Sequence, residues 1–204
     1  VHTDEGLIGL GEATVSGLWS GETQATALAI LNQCLEPALV GRDPRDILEI
    51  RRAMDLAVKL NPFTKAAVEM AMWDIAGKAV GQPVYRLLGG KCRDKVRIKL
   101  VVWARDVADS RAMAERHLSL GVSCIKVKTG LDPVADIARV RAVREVCGPD
   151  IPLTIDSNCG WTVQQAKYCL RELTDENLLL VEQPIPPGDH DVMAELRRYT
   201  TVPV

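Results

Sequence analysis

The second half of the chain contains three short apolar runs, and each of them ends in charged side chains. The runs are Cys-Ile-Lys-Val-Lys at 124–128, Leu-Thr-Ile-Asp at 153–156 and Leu-Leu-Leu-Val-Glu at 178–182. Each has the length of a buried strand, and segments with the apolar spacing of helices separate them. This order predicts parallel strands joined by helices, because a crossover between parallel strands needs a dozen or more residues.

The alternation of side chains along a strand places the charged residues of each run on one face of the sheet. Lys126 and Lys128 share a face, Asp156 and Asn158 share a face, and Glu182 ends its run. If the strands are parallel neighbours, these side chains converge on one pocket at the carboxyl end of the sheet. The residues expected to point the other way are Ile125, Val127, Leu153, Ile155, Leu179 and Val181.

A strand and helix repeat of barrel length runs through residues 91–204. The predicted elements are a strand (96–103), a helix (109–120), a strand (124–128), a helix (133–146), a strand (152–156), a helix (163–173), a strand (178–182) and a helix (190–199). Four such units are half of a (β/α)₈ barrel, whose full length is about 250 residues. No Gly-x-Gly-x-x-Gly follows a strand, which disfavours the doubly wound alternative.

The first part of the chain reads as a separate, largely helical domain over residues 1–90. Asp43 before Pro44 predicts a helix start with Asp43 as its cap, and Asn61 before Pro62 predicts the start of another helix. Glycine and proline at 81–83 end that second helix. The Gly-Gly pair at 89–90 is the expected domain boundary.

Composition indicates a small-molecule partner. The 204 residues carry 25 lysines and arginines against 27 aspartates and glutamates, which gives a formal charge of −2 without long blocks of one sign. This balance argues against nucleic-acid binding and against an anionic membrane surface. The six cysteines stand at irregular separations without a Cys-x-x-Cys pair, which predicts free thiols in a reducing compartment, the cytoplasm.

Both ends of the chain read as interrupted elements. Residues 1–12 look like the end of one strand, a polar turn and a return strand, so the first half of a hairpin is expected to be missing. Residues 199–204 look like a helix end followed by the start of a buried strand. We therefore expect an internal segment of a longer protein, which leaves open whether a targeting segment precedes it.

The clustered charges have a chemical and a simpler interpretation. Two carboxylates on neighbouring strands supply the hard oxygen ligands that Mg²⁺ or Mn²⁺ prefers. Two buried lysines a strand pitch apart disfavour each other's charge, so one of them is expected to be neutral and to act as a base. Taken singly, lysines can deter edge pairing, and an aspartate or glutamate at a strand end can mark a solvated turn. Three consecutive units that end in charge at one level favour a shared site.

These motifs resemble the enolase superfamily, in particular the group of mandelate racemase and muconate lactonizing enzyme. Residues 61–78 resemble the muconate-type cycloisomerases of that group. Residues 66–78 and 81–90 resemble the end of the α+β capping domain of that group. Lys-Val-Lys at 126–128, Asp-Ser-Asn at 156–158 and Val-Glu-Gln-Pro at 181–184 match its second, third and fourth barrel strands. The resemblance implies a truncated capping domain over residues 1–90 and the first half of a TIM-like barrel over residues 91–204.

The resemblance also implies a reaction and a role for each site residue. Lys128 would be the base that removes the proton α to a substrate carboxylate, assisted by Lys126. Asp156 and Glu182 would bind Mg²⁺ or Mn²⁺, with Asn158 behind them, and the metal would stabilise an enediolate. Racemisation or epimerisation, cycloisomerisation and dehydration all share this step. The third metal carboxylate and the base on the opposite face of the substrate would lie beyond residue 204, so the isolated segment is expected to be inactive. The full-length protein is expected to be a homo-oligomer.

Several alternatives stay open at this point. The segment around Trp19 resembles a capping loop that closes over the substrate, although Trp19 can equally serve local packing. A lysine that forms a Schiff base with a carbonyl substrate is a second mechanistic class. A non-catalytic barrel remnant that offers only an interaction surface is a third.

Overall fold

A computed structural model describes residues 1–188 and 190–204 as two compact units, Val1–Asp94 and Lys95–Val204. In the first unit, the helices are α1 (Gln24–Ile30), a π-helical turn (Leu31–Leu35), α2 (Glu36–Leu39), α3 (Ile47–Ala57), α4 (Pro62–Ala79) and α5 (Val84–Leu87). In the second unit, the strands are β1 (Leu100–Val102), β2 (Ile125–Lys128), β3 (Leu153–Asp156) and β4 (Leu178–Glu182). The helices there are α6 (Val107–Ser119), α7 (Pro133–Cys147), α8 (Val163–Glu172), a 3₁₀ turn (Thr174–Glu176) and α9 (His190–Tyr199). Across the described residues, no helix is both long and apolar enough to cross a membrane.

The first unit is built around helix α4. Pro62 occupies the first turn of α4, where its missing N–H has no intrahelical acceptor to lose. Residues from α3 and α4 form a buried apolar cluster with the π-helical turn, and its most enclosed members are Leu35, Ile50, Met54, Met72 and Ile75. The predicted hairpin is present as a single antiparallel bridge between His2 and Ile8.

The predicted helix start at Asp43 is wrong. Helix α3 begins at Ile47, and Asp43 instead belongs to the turn that precedes it. One carboxylate oxygen of Asp43 accepts hydrogen bonds from the backbone N–H and the side chain of Arg45, both at 2.9 Å. An arginine two residues away therefore holds the carboxylate in a local turn, which competes with its use as a helix cap.

The second unit is a parallel four-stranded sheet in the order β1-β2-β3-β4. Helices α6, α7, α8 and α9 follow the four strands in turn. The predicted alternation of strand and helix is confirmed, and the arrangement is that of the first half of a (β/α)₈ barrel. Strand β1 is shorter than predicted, because the pairing with β2 begins at Leu100 and leaves Val96 and Ile98 exposed.

Side-chain caps fix where two of the barrel helices begin. The Asp132 carboxylate accepts a hydrogen bond from the Ala135 N–H and thereby caps α7. Thr162 and Gln165 form the predicted capping box at the start of α8. Each cap provides acceptors for N–H groups that have no partner inside the helix. These caps set the length of the loops that leave the carboxyl ends of β2 and β3.

The register of the strands places the predicted site residues side by side. Lys128 pairs with Asp156 across β2 and β3, and Asp156 pairs with Glu182 across β3 and β4. The register shifts by one residue at the start of the β3–β4 pairing, so that Leu179 has no partner in the ladder. Leu179 is expected to point to the same side as Val181, but the bulge takes it out of the ladder and leaves it 56% exposed, whereas Val181 is buried.

The opposite face of the sheet forms the core of the second unit. Ile125, Val127, Leu153 and Ile155 are fully buried there and pack against the helices. The burial of these apolar side chains fixes which way each strand faces, because a slip of one residue would turn them toward the other side. The charged residues between them are thereby held on the inner face.

Candidate active site

The candidate site lies where β2, β3 and β4 end. Because the strands are parallel and in register, Lys128, Asp156 and Glu182 occupy one level at the carboxyl edge of the sheet. Lys126 lies one inward-facing position below Lys128. The structure brings these four side chains and Asn158 together within the second unit.

Lys126 joins the two carboxylates. Its Nζ donates to Asp156 Oδ2 at 3.1 Å and to Glu182 Oε2 at 2.5 Å. The Lys126 side chain is 12% exposed and the Asp156 side chain 3%, whereas the Glu182 side chain is 37% exposed. The ion pair with Asp156 is thus shielded from water, while Glu182 stays open to solvent on one side.

Lys128 faces Asp156 and Asn158. Its Nζ donates to Asp156 Oδ2 at 2.7 Å and to Asn158 Oδ1 at 2.6 Å. The backbone of Asn158 is left-handed, with φ of 45°, a conformation that asparagine tolerates better than most residues. The Asn158 N–H donates to Asp156 Oδ1 at 3.0 Å, which fixes the carboxylate from its other side.

These contacts determine the charge of the buried groups. Burial disfavours the ammonium form of Lys126, but the hydrogen bonds and the attraction from Glu182 and Asp156 outweigh it, so the pKa of Lys126 is raised. Burial likewise disfavours the Asp156 carboxylate, but hydrogen bonds from Lys128, the Asn158 N–H and Lys126 outweigh it, and the pKa of Asp156 is lowered. One of the two lysines is expected to be neutral, and Lys126 is not that lysine, because the carboxylates compensate its charge.

Lys99 is a residue at the site that the sequence analysis missed. Its Nζ lies 4.0 Å from Glu182 Oε2, and its side chain is 38% exposed. Lys99 precedes β1 and lies two positions before Val101, which pairs with Lys126. Strand alternation from Val101 was the available signal, since it assigns Lys99 to the same face.

The donor set fits a hard divalent cation. The Asp156 and Glu182 carboxylates already gather around one positive group, the Lys126 ammonium, and carboxylate oxygens are the ligands that Mg²⁺ prefers. Between residues 1 and 188 and from 190 to 204, no group of three or more His, Cys, Asp or Glu residues is placed to hold a metal ion. Among the described residues, these two carboxylates would be the ligands, and the other positions would be left to groups outside this set.

The geometry disfavours two simpler explanations of these residues. Edge protection does not account for Lys126 or Lys128, because β2 pairs with a strand on both sides. A solvated turn does not account for Asp156, which is buried. Its hydrogen bond from the Asn158 N–H is nevertheless that of an Asx turn, so the local signal and the site coincide in one carboxylate.

Trp19 lies in the first unit and packs on a neighbour. Its ring meets the Phe63 ring edge to face at 4.9 Å between centroids, while the residue remains 61% exposed. The role of Trp19 toward a substrate stays a prediction.

Glu22, which follows the loop around Trp19, is a second residue that the sequence analysis missed. Its buried carboxylate accepts from the N–H groups of Phe63 and Thr64 at 2.8 and 3.0 Å and from Thr64 Oγ1 at 2.5 Å. It thereby caps the start of α4 and fixes the end of the loop that carries Trp19.

Two family profiles match the chain, one in each half. The profile described as "Mandelate racemase / muconate lactonizing enzyme, N-terminal domain" matches residues 1–89. The profile described as "Enolase C-terminal domain-like" matches residues 109–204.

Individual relatives agree with these profiles. The N-succinyl-L-Arg/Lys racemase of Bacillus cereus is 36% identical over 100% of this chain and 56% of the relative. A crystal structure of N-succinyl Arg/Lys racemase from Bacillus cereus superposes with a TM-score of 0.94 at 35% identity, over 99% of this chain and 55% of that one. Muconate cycloisomerase 1 of Rhodococcus opacus is 35% identical, again over 100% of this chain and 56% of the relative.

A relative of known structure was crystallised with a metal. The dipeptide epimerase of Cytophaga hutchinsonii, in complex with Mg and the dipeptide D-Ala-L-Val, has a TM-score of 0.90 at 31% identity over 98% of this chain and 54% of that one. The chain thus spans just over half the length of the relatives it matches.

Proposed function

The chain belongs to the mandelate racemase / muconate lactonizing enzyme family of the enolase superfamily, and from this membership we propose that its parent protein removes the proton α to a substrate carboxylate. The product is then a racemised or epimerised acid, a cycloisomer or a dehydrated acid. The substrate is a small-molecule carboxylate, and the required metal is Mg²⁺, with Mn²⁺ as its substitute. The 204-residue segment alone is predicted to be inactive.

One observation carries this proposal: a single buried carboxylate, Asp156, is shared by two lysines while a second carboxylate faces it. The Lys128 and Lys126 amines lie 2.7 and 3.1 Å from the same Asp156 oxygen. The proposed base and the proposed ligand for a cation are therefore neighbours at the carboxyl ends of adjacent strands. A metal-assisted proton abstraction needs that combination.

The position of each residue suggests its role in the proposed reaction. Lys128, at the outer end of β2, is the group that takes and returns the proton. Lys126, one step further in and with a raised pKa, remains an ammonium and offers fixed positive charge to the substrate carboxylate. Asn158 accepts from Lys128 and holds the amine in place.

Asp156 and Glu182 would hold the metal. When bound, the divalent cation supplies positive charge that stabilises the negative charge developing on the substrate. Lys126 stands between the two carboxylates and keeps their oxygens together before the cation arrives. Its ammonium neutralises part of the repulsion between them.

The charge state of Lys126 disfavours the Schiff-base alternative for that residue. A lysine attacks a carbonyl only as the neutral amine, and the raised pKa of Lys126 keeps it protonated. Borohydride trapping of the full-length protein with a carbonyl substrate and no metal is the test of that alternative, and a covalent adduct at Lys126 or Lys128 would support it.

The experiment for the proposal follows the α proton directly. The full-length protein is incubated in D₂O with Mg²⁺ and either a dipeptide or an N-succinyl amino acid, and deuterium incorporation at the α carbon is read by NMR. We expect exchange with the unaltered protein and loss of exchange on addition of a chelator. In Lys128→Met we expect a loss of at least about a thousandfold for the enantiomer whose α proton faces Lys128, because this change removes the proposed base. The matched control is Lys167→Met, which removes a lysine paired with Glu195 on the helices. Exchange of both enantiomers that survives undiminished in Lys128→Met would refute the assignment of the base.

Location and assembly remain proposals as well. All six cysteines, which lie within the described residues, are free thiols, and this supports a reducing compartment such as the cytoplasm. Burial raises the pKa of the Cys169 thiol to about 12, so that it stays protonated. A homo-oligomer is the proposed state of the full-length protein, to be measured by light scattering.

A further inference from the structure

A buried carboxylate on helix α7 links the two loops that follow the site strands. Asp136 is fully buried, and its Oδ2 accepts from the Gly130 N–H and from the Trp161 indole N–H, both at 2.8 Å. Gly130 lies two residues after Lys128, and Trp161 lies three residues after Asn158. One oxygen atom therefore joins the loop that follows the proposed base to the loop that follows the proposed metal ligand.

The two loops touch each other directly at this point. The Thr129 N–H donates to the Asp156 carbonyl at 2.9 Å, and the hydroxyls of Thr129 and Ser157 lie 2.9 Å apart in a buried contact. Gly130 has a φ of +95° and lies so close to the Ser157 carbonyl that a Cβ would not fit. A Cβ on Gly160 would likewise collide with the Gly130 carbonyl. This spacing leaves the loops little freedom to slide.

The charge of Asp136 is balanced from within its own helix. Its second oxygen, Oδ1, forms an ion pair with the Arg139 guanidinium, which is 5% exposed. The pairing keeps Asp136 from being an uncompensated buried charge and leaves Oδ2 for the two loops. Among the described residues, the Asp136 side chain bonds to Gly130, Arg139 and Trp161, and it makes no hydrogen bond to the proposed base or to the proposed metal ligands.

We propose that Asp136 is a positioning residue that sets the distance between the Lys128 amine and the Asp156 carboxylate by clamping Gly130 and Trp161 on one oxygen. The proposal rests on the proposed function, because it concerns the geometry of the same site. Groups that orient metal ligands from behind change metal affinity when they are altered. Here the clamp acts on the backbone that carries the ligand and the base.

The test uses Trp161→Phe in the full-length protein, because this change removes only the indole N–H donor and keeps a large apolar ring in the core. Affinity for Mn²⁺ alone is measured by electron paramagnetic resonance well below the unfolding temperature. We expect roughly three- to tenfold weaker binding, less than the tenfold or greater loss typical of groups that contact a ligand directly. Amide hydrogen exchange of residues 129–130 and 157–161 is followed in parallel and is expected to accelerate.

The matched control is Asp132→Ala, at the N-cap of the same helix. Asp132 caps α7 through the Ala135 N–H, so its loss lowers the melting temperature without touching either loop contact of Asp136. We expect unchanged Mn²⁺ affinity and unchanged exchange at the two loops in this variant. Asp136→Asn is the second clamp variant. If Asp136 and Trp161 act through one contact, the double variant binds Mn²⁺ no more weakly than Asp136→Asn alone.

The outcomes separate this proposal from the proposed function. Faster loop exchange in Trp161→Phe with unchanged Mn²⁺ affinity would overturn positioning, because the contact would then serve stability only. Equal losses of affinity in Trp161→Phe and Asp132→Ala would also overturn it. If the unaltered protein binds no Mn²⁺, the proposed function and the positioning role both fail, whereas Mn²⁺ binding by the unaltered protein that Trp161→Phe leaves unchanged overturns the positioning role alone.

Discussion

Replacing Asp156 with asparagine removes the charge on which the candidate site is built. The two side chains have nearly the same shape, so Asp156→Asn changes the electrostatics of the pocket while it leaves the packing almost untouched. In the metal-free protein, Lys126 and Lys128 would then face a neutral amide, with Glu182 as the remaining carboxylate close to Lys126. The change should therefore destabilise the fold as well as weaken metal binding.

The size of this effect follows from the contacts. Asp156 accepts two hydrogen bonds from lysines, at 2.7 and 3.1 Å, and one from a backbone N–H at 3.0 Å. Breaking a buried ion pair costs about 3–5 kcal/mol, because the partner charge stays behind without compensation. The lysines keep some contact with water, at 12% and 19% exposure, and one oxygen acceptor survives in asparagine. We expect the free energy of unfolding to fall by about 3 kcal/mol.

A double variant tests the reasoning more sharply than the single change. Lys126→Met alone should cost about 2 kcal/mol, less than Asp156→Asn, because Asp156 keeps Lys128 as a partner. In Asp156→Asn combined with Lys126→Met, both members of one pair are gone, and the total loss should be at least about 1 kcal/mol smaller than the sum of the single losses.

Urea unfolding of the full-length protein with a chelator present, followed by circular dichroism, measures these values. Asp132→Asn is the control, since asparagine caps a helix as well as aspartate does, and it should change stability by less than about 0.5 kcal/mol. Additive losses in the double variant, or a loss below about 1 kcal/mol in Asp156→Asn, would show that the carboxylate is not the common partner of the two lysines.

Two further predictions concern pH and the first unit. The lowered pKa of Asp156 means that its stabilising contribution is complete above the ordinary value of 3.8 and is lost as pH falls through the lower folded-state value. The raised pKa of Lys126 means that its contribution is complete below 10.5 and is lost as pH rises through the higher folded-state value. Asp156→Asn should flatten the acid limb in a series of urea titrations, and an unchanged acid limb would contradict this. Glu22→Gln should lower the free energy of unfolding by about 2 kcal/mol, because the buried carboxylate caps α4 with three hydrogen bonds. The control Glu5→Gln, at an exposed position, should leave the free energy of unfolding almost unchanged. Equal losses for the two variants in urea unfolding would argue against the cap.

The placement of the site residues on one face could be predicted because it depends on short-range rules. A strand period of two and parallel pairing suffice to bring Lys128 next to Asp156, and both are visible in the order of apolar and charged residues. The caps at Asp132 and Thr162 were equally predictable, since a cap and the N–H it accepts lie within one helical turn.

The features that escaped prediction depend on distant partners. Glu22 meets Thr64 across 42 positions of the chain, and nothing near either residue indicates the other. The bulge at Leu179 arises from the pairing of β4 with β3 and not from a signal within β4. Asp136 looks like an acidic residue in the first turn of a helix, and its bond to Trp161 becomes visible only once the two loops are placed together.

Which of the two lysines stays charged could not be predicted, for a related reason. Two lysines on one strand suggest mutual repulsion when the strand is considered alone. The neighbouring strands contribute Asp156 and Glu182, and these carboxylates reverse the direction of the pKa. The environment of a buried charge is set by neighbouring strands as much as by its own.

The position of a bound cation tests the central claim most directly. Crystals of the full-length protein grown with Mn²⁺, and measured at a wavelength where the metal scatters anomalously, would locate the ion. We predict one peak within about 2.2 Å of carboxylate oxygens of both Asp156 and Glu182, with the Lys128 amine facing the adjoining open space. A peak that touches neither carboxylate, while Lys126 still joins the two, would contradict the account.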